Sequence, residues 1–339
     1  MLQTSPWTAP CDTPVVPTLK LSLVSVLFLS GTSLFAQSQG PVNHFDEVQK
    51  ALGLFRGHHD EEAASTLERS LAATERENNP EWQASILSVI GPVYQRLRRF
   101  TDAENALNRS VALWSGIDGD GARVLIGPLG NLGCLYFDAA QYSRAEKAIS
   151  RALDIANTTT GPARTKAVLL TNLGSIYVSE HKDDLARQKG EEALRAFSTS
   201  DPSRAWAWSI LGAVNMHASR FPEAEQDMNQ ALTIWKAQLD PTNPVIANGV
   251  ANLATLYALS DRPDKAEPLF QQAAAVFEKG ENDEAFVRQS LAEYARVEKR
   301  LGHKKEAKRL EKKVAAMDSV SAATVLSRQV IDVSAFLDR

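Results

Sequence analysis

The chain of 339 residues has only two cysteines, Cys11 and Cys134, so neither a disulfide framework nor a cysteine-rich metal site is available to it. Histidine is scarce too, with six residues scattered at 44, 58, 59, 181, 217 and 303. The adjacent pair His58-His59 falls in a turn, where neighbouring side chains rarely chelate one ion. No HExxH, CxxC or GxSxG occurs, and the glycine-rich "GDGAR" (119–123) follows a helical stretch instead of the strand a phosphate loop needs. These absences exclude the common catalytic and metal chemistries and point to a non-enzyme without cofactor or metal. Aromatic residues make up only 7% against 44% hydrophobic, which suits packing between alanine-rich helices. A net charge of −4 offers nothing to nucleic acid or to an anionic membrane. The basic run "KRLGHKKEAKRLEKK" (299–313), eight Lys/Arg against two Glu, reads as the solvated face of a terminal helix pair.

Long apolar runs are missing as well. The run from Leu21 to Phe35 stops at 15 residues, short of the roughly 20 a membrane span requires. It follows Lys20 and is closed by Ala36 before a polar stretch, the layout of a secretory signal peptide. Residues 1–36 are therefore expected to be leader and signal, cleaved after Ala36, with no span in the mature chain and a periplasmic or extracellular destination. The segment "MLQTSPWTAPCDTPVVPT" (1–18) carries no basic residue, so translation is expected to start near Val16 or Leu19. Cys134 would then be the sole thiol, on an apolar helix, where a small buried hydrophobe is the ordinary reading.

What is present is repetition. "NLGCLYFDAAQYSRAEKAISRAL" (131–153) sets a glycine three residues before a tyrosine and an alanine nine after it. The layout recurs with Gly91, Tyr94 and Ala103, with Gly174, Tyr177 and Ala186, and with Ala254, Tyr257 and Ala266. Gly212 and Ala224 frame a copy in which Asn215 replaces the tyrosine, and Leu54 does so in a degenerate first copy. A weak seventh copy has Ala295 and Ala307. The second small residue falls at 63, 103, 145, 186, 224, 266 and 307, steps of 38–42 residues. A period of that length means a solenoid of stacked units, an all-α array spanning 44–317.

The units divide at approximately 44–78, 79–119, 120–160, 161–200, 201–240, 241–280 and 281–317, each reading as helix, turn, helix. Glycine inside a helix costs about 1 kcal/mol against alanine. Gly91, Gly133, Gly174 and Gly212, with Ala254, are therefore expected to mark close helix crossings opposite Ala103, Ala145, Ala186, Ala224, Ala266 and Ala307. Asn79-Pro80, Asp201-Pro202 and Asn243-Pro244 read as N-caps followed by proline at the first helical position, and Pro222 and Pro263 open second helices. Pro92 and Pro128 fall inside first helices and should kink them. Beyond residue 318, "QVIDVSAFLDR" (329–339) alternates apolar and polar and reads as a short strand.

"NPVIANGVANLATLY" (243–257) and the sevenfold layout resemble the tetratricopeptide repeat, in the longer variety of kinesin light chains. The leader would make this a bacterial exported member. The resemblance implies a right-handed superhelix whose first helices line a concave groove. It also implies that Asn131, Asn172 and Asn252, each five residues before a tyrosine, hydrogen-bond the backbone of an extended peptide. An amide offers both donor and acceptor for that task; the competing role is to brace neighbouring first helices. Further groove candidates are Asn248, Trp206, Met216 and His217, among small neighbours such as Gly127, Gly130, Val168, Thr171, Ser175, Ala251 and Thr255. Lys and Arg clamps of the kind that hold a terminal carboxylate are absent there. The function expected is a protein-binding scaffold for a protein or peptide partner. The alternative is an oligomerising subunit of a cell-envelope assembly, and self-association stays open.

Overall fold

The structure is a computed structural model, and it describes residues 44–116, 120–159, 161–278 and 284–327. The leader with its expected cleavage site and the 329–339 segment lie outside those residues. Every described element is helical. The helices are α1 His44–Arg56, α2 Asp60–Arg76, α3 Pro80–Arg96, α4 Phe100–Ser115, α5 Ile126–Asp138, α6 Tyr142–Thr158 and α7 Ala163–Ser179. They continue with α8 Asp183–Ala196, α9 Arg204–His217, α10 Phe221–Gln238, α11 Pro244–Leu259, α12 Pro263–Phe277, α13 Glu284–Arg300 and α14 Lys304–Ser327. One 3-10 turn, Asp120–Leu125, leads into α5. Each expected unit is one odd-numbered and one even-numbered helix.

The helices fall into two compact units divided between Ala218 and Ser219, inside the fifth repeat. Within each unit a first helix packs on the second helix of its own repeat and on the second helix before it, and consecutive first helices touch. The residues explain the layering. In α7 every residue from Ala167 to Val178 is buried, whereas α8 buries only Ala186, Gly190 and Ala193. A helix apolar all round goes inside, and one with a single small stripe lies outside.

The crossings use the expected small residues. Ala103, Ala145, Ala186, Ala224, Ala254 and Ala266 are wholly buried, Ala307 nearly so, and Gly212 is buried. A Cβ on Gly133 would overlap the Ile149 side chain of α6, and one on Gly91 would lie 2.5 Å from Leu107 Cγ. On Gly174 it would meet Ile210 Cδ1 of the next repeat at 2.9 Å. Dispersion across these contacts outweighs the lost helix propensity.

Turn chemistry departs from expectation in two places. Asn79 and Asn243 cap α3 and α11, accepting from Trp82 N–H at 3.1 Å and Val245 N–H at 2.9 Å. Asp201 does not cap: α9 begins at Arg204, after Ser203. The Asp201 carboxylate instead closes a turn on Ser203 N–H at 2.8 Å and takes Arg164 Nε at 2.7 Å. Pro128 is not interior, because α5 starts at Ile126 and a 3-10 turn absorbs the preceding residues. A proline in the first turn forfeits no intrahelical bond. Pro92 does lie inside α3, and Pro268, unnoticed in the sequence, lies inside α12.

Within every repeat the two helices are joined through a left-handed residue: His58, Arg98, Ala140, His181, Ser219 and Asp261 at φ 56–62°, and Gly302 at 83°. The next N–H bonds back five residues, as Arg99 N–H to the Tyr94 carbonyl and Lys182 N–H to the Tyr177 carbonyl, both at 2.8 Å. This closure satisfies carbonyls that a helix end leaves free. At Arg99, Lys182 and Arg262 it also sets the side chain of the residue after the left-handed one against the tyrosine ring.

Candidate functional site

The side chains proposed to face a ligand all lie on first helices, and the structure places them unequally. Asn131 is 7% exposed, Asn172 3% and Met216 6%, whereas Asn252, Asn248 and Trp206 are half-buried. Asn131 Nδ2 donates to the Ser88 carbonyl of α3 at 3.0 Å, so its amide ties one first helix to the next. Asn172 Nδ2 has the Cys134 sulfur at 4.0 Å, and its Oδ1 is buried without a hydrogen-bond donor, as is Asn248 Oδ1. Burial pushes the Cys134 thiol well above its usual range, with Asp138 adding to the shift, so a thiolate is not on offer near neutral pH. Met216 packs in the core of its unit. His217 is held through Nδ1 by Asp183 Oδ1 at 2.8 Å, and its ring lies 5.0 Å from that of His181.

Ser85 and Ser88 of α3 and Gly127 and Cys134 of α5 are partly open. Positions 127, 131 and 134 recur at i, i+4 and i+7, one face of a helix.

A second constellation, missed in the sequence, runs along the turns. Tyr94 O–H donates to Glu68 of the preceding repeat at 2.9 Å, and Arg99 lies 4.1 Å over the ring and reaches the same carboxylate at 3.2 Å. Tyr136 bonds Glu104 at 3.0 Å beneath Arg144. Tyr177 bonds Glu146 at 3.0 Å beside Lys182, and Tyr257 bonds Glu225 at 2.8 Å beneath Arg262. Each is a tyrosine, a carboxylate from the repeat before and a cation, from the turn at Arg99, Lys182 and Arg262 and from the first turn of α6 at Arg144. Where Asn215 replaces tyrosine, Arg187 replaces the carboxylate and donates to Asn215 Oδ1 at 3.0 Å. Burial and then the Glu146 contact push the Tyr177 hydroxyl up to about 12. Burial raises Glu225, but the Tyr257 hydroxyl and Arg262 outweigh it and hold that carboxyl below its usual value. These neutral, satisfied triads hold repeats together and offer little to a substrate.

Residues 203–279 match the family model described as Tetratricopeptide repeat. The KINESIN LIGHT CHAIN-RELATED 1 protein of Arabidopsis thaliana is 22% identical over 234 residues, covering 65% of this chain. That is 37% of the relative, so the chain spans little more than a third of its length. The crystal structure of BtubC (BKLC) from P. vanneervenii superposes with a TM-score of 0.53 at 20% identity, over 66% of this chain and 94% of that one. A Rap protein complexed with Competence and Sporulation Factor gives 0.63 at 14% identity, over 81% of this chain and 76% of that one. At these identities the structural likeness is one of fold. Among the described residues no helix is long and apolar enough to cross a membrane.

Proposed function

We propose that this chain, built of kinesin-light-chain-like tetratricopeptide repeats, is a non-catalytic scaffold that holds an extended segment of a partner protein along its first helices. Repeat arrays of this kind expose surface for binding rather than a cleft for chemistry. The observation that carries the reading is Asn172, an acceptor buried without a donor beside the partly open Cys134, with Ser85, Ser88 and Gly127 also partly open on the first helices before it. A buried polar group left unbonded is costly, and a backbone N–H of an extended ligand supplies the missing bond. The Rap protein complexed with its factor shares this architecture, which agrees with such use.

The test is selection of a random linear-peptide library on the full chain, followed by calorimetric titration of an enriched synthetic peptide. Asn172→Ala should weaken binding roughly tenfold, the equivalent of one orphaned hydrogen-bond partner. The loss should be similar for peptides of unrelated sequence, because main chain is read. Absence of any enriched peptide, or unchanged affinity in a variant with intact circular dichroism, would refute the reading. Asn131→Ala should lower stability, since its amide already serves Ser88.

The Leu21–Phe35 run followed by Ala36 is the ground for proposing that the scaffold works outside the cytoplasm. Intact-mass measurement of secreted product should give a chain beginning at Gln37; a retained leader in the membrane fraction would contradict it.

A further inference from the structure

The last repeat junction breaks the tyrosine–carboxylate–cation rule in a way that makes a metal site. The left-handed Gly302 aligns His303 with the cation position held by Arg99, Lys182 and Arg262. His303 N–H bonds the Glu298 carbonyl at 2.9 Å, so Glu298 occupies the tyrosine position. Glu267, next to Ala266 on α12, stands where Glu104, Glu146 and Glu225 stand in earlier repeats. A tyrosine has thus become a second carboxylate, and a permanent cation has become an imidazole. Elsewhere one carboxylate faces one Arg or Lys; here two carboxylates share a ring that carries no permanent charge.

Geometry and burial favour an ion there. His303 Nδ1 is 2.9 Å from Glu298 Oε2 and 3.4 Å from Glu267 Oε1, and one ligand atom from each residue lies within 4.8 Å of the others. Ligands about 2.1 Å from one ion stand roughly 3.0–3.4 Å apart for angles between square and tetrahedral. Glu298 is 1% exposed, and its Oε1 has no hydrogen-bond partner. Tyr294, one turn before Glu298 on α13, stacks on Phe270 with ring centroids 5.6 Å apart. His303 is half-exposed, which leaves a way in and room for water on the ion.

We propose that Glu267, Glu298 and His303 bind one divalent transition-metal ion, zinc by preference, tying α12 to α13 and the start of α14. A nitrogen and two carboxylates suit zinc better than magnesium, which keeps its water and favours all-oxygen sites. The ion replaces the missing guanidinium as the countercharge between the sixth and seventh repeats. No HExxH-type motif announces the site because its ligands are spread over two repeats.

The experiment titrates zinc chloride into the metal-stripped full chain at pH 7.5, read by calorimetry and by the thermal midpoint. One zinc per chain should bind and raise the midpoint. His303→Asn and Glu298→Gln should each weaken zinc roughly tenfold or more, while Glu306→Gln, paired with Arg309, should leave it unchanged. His303 is half-exposed, so its variant remains informative should Glu298→Gln fold poorly. Lack of zinc binding up to about millimolar concentration, where even weak sites respond, would overturn the proposal. Equal affinity in wild type and in a folded His303→Asn would do the same, and leave the triad a proton-bridged contact.

Discussion

Tyr136→Ala should destabilise the unit spanning α1–α9 by about 3–5 kcal/mol, the cost of removing a large ring from a packed site. The ring is 7% exposed, carries Arg144 at 3.9 Å from its centre and bonds Glu104 across the junction. Tyr136→Phe isolates the hydroxyl and should cost about 0.5–1.5 kcal/mol. Paired with Glu104→Ala, it should show non-additivity in a double-mutant cycle, because both substitutions remove the same bond. Denaturant titration of the four proteins decides the matter. Additive single effects would mean that the hydroxyl and carboxylate are neighbours without coupling.

Gly133→Leu should cost about 1–3 kcal/mol or somewhat more through overpacking. The first added carbon already collides with Ile149, which is wholly buried and has no open direction to turn. Each repeat contacts only its neighbours, so the damage should concentrate in the second to fourth repeats. Hydrogen exchange resolves this, and even loss of protection over all repeats would contradict it. Gly53 in α1 is the control, for nothing lies within 4 Å of a Cβ placed there. Gly53→Ala should be neutral or gain up to about 1 kcal/mol from helix propensity alone.

The period was legible because it is written in one dimension: a small residue every 38–42 positions survives any noise at other sites. Helix pairs and crossings came with it. Asp201 misled because an Asx-Pro pair scores alike as cap or turn, and Arg164, 37 residues earlier, decides between them. The tyrosine's partner was hidden for a similar reason, lying 32 residues upstream of Tyr136 in another repeat. A signal existed nonetheless. Glu104, Glu146, Glu225 and Glu267 each come directly after the small alanine, and the chain places Arg187 there just where Asn215 displaces the tyrosine. The asparagines were ambiguous from the start, since whether an amide braces helices or awaits a ligand depends on spacing between first helices. Asn131 has found a carbonyl, whereas the Asn172 oxygen has no donor.

The tyrosine triads also have a direction. Each ring reaches backward, so a junction of this kind needs an acceptor behind and a hydroxyl in front. The first repeat carries Leu54 in the forward role and the last carries Lys308 in the backward one. At those two positions the side chain present cannot make the ladder's bond, so its register stops short of the first and last repeats.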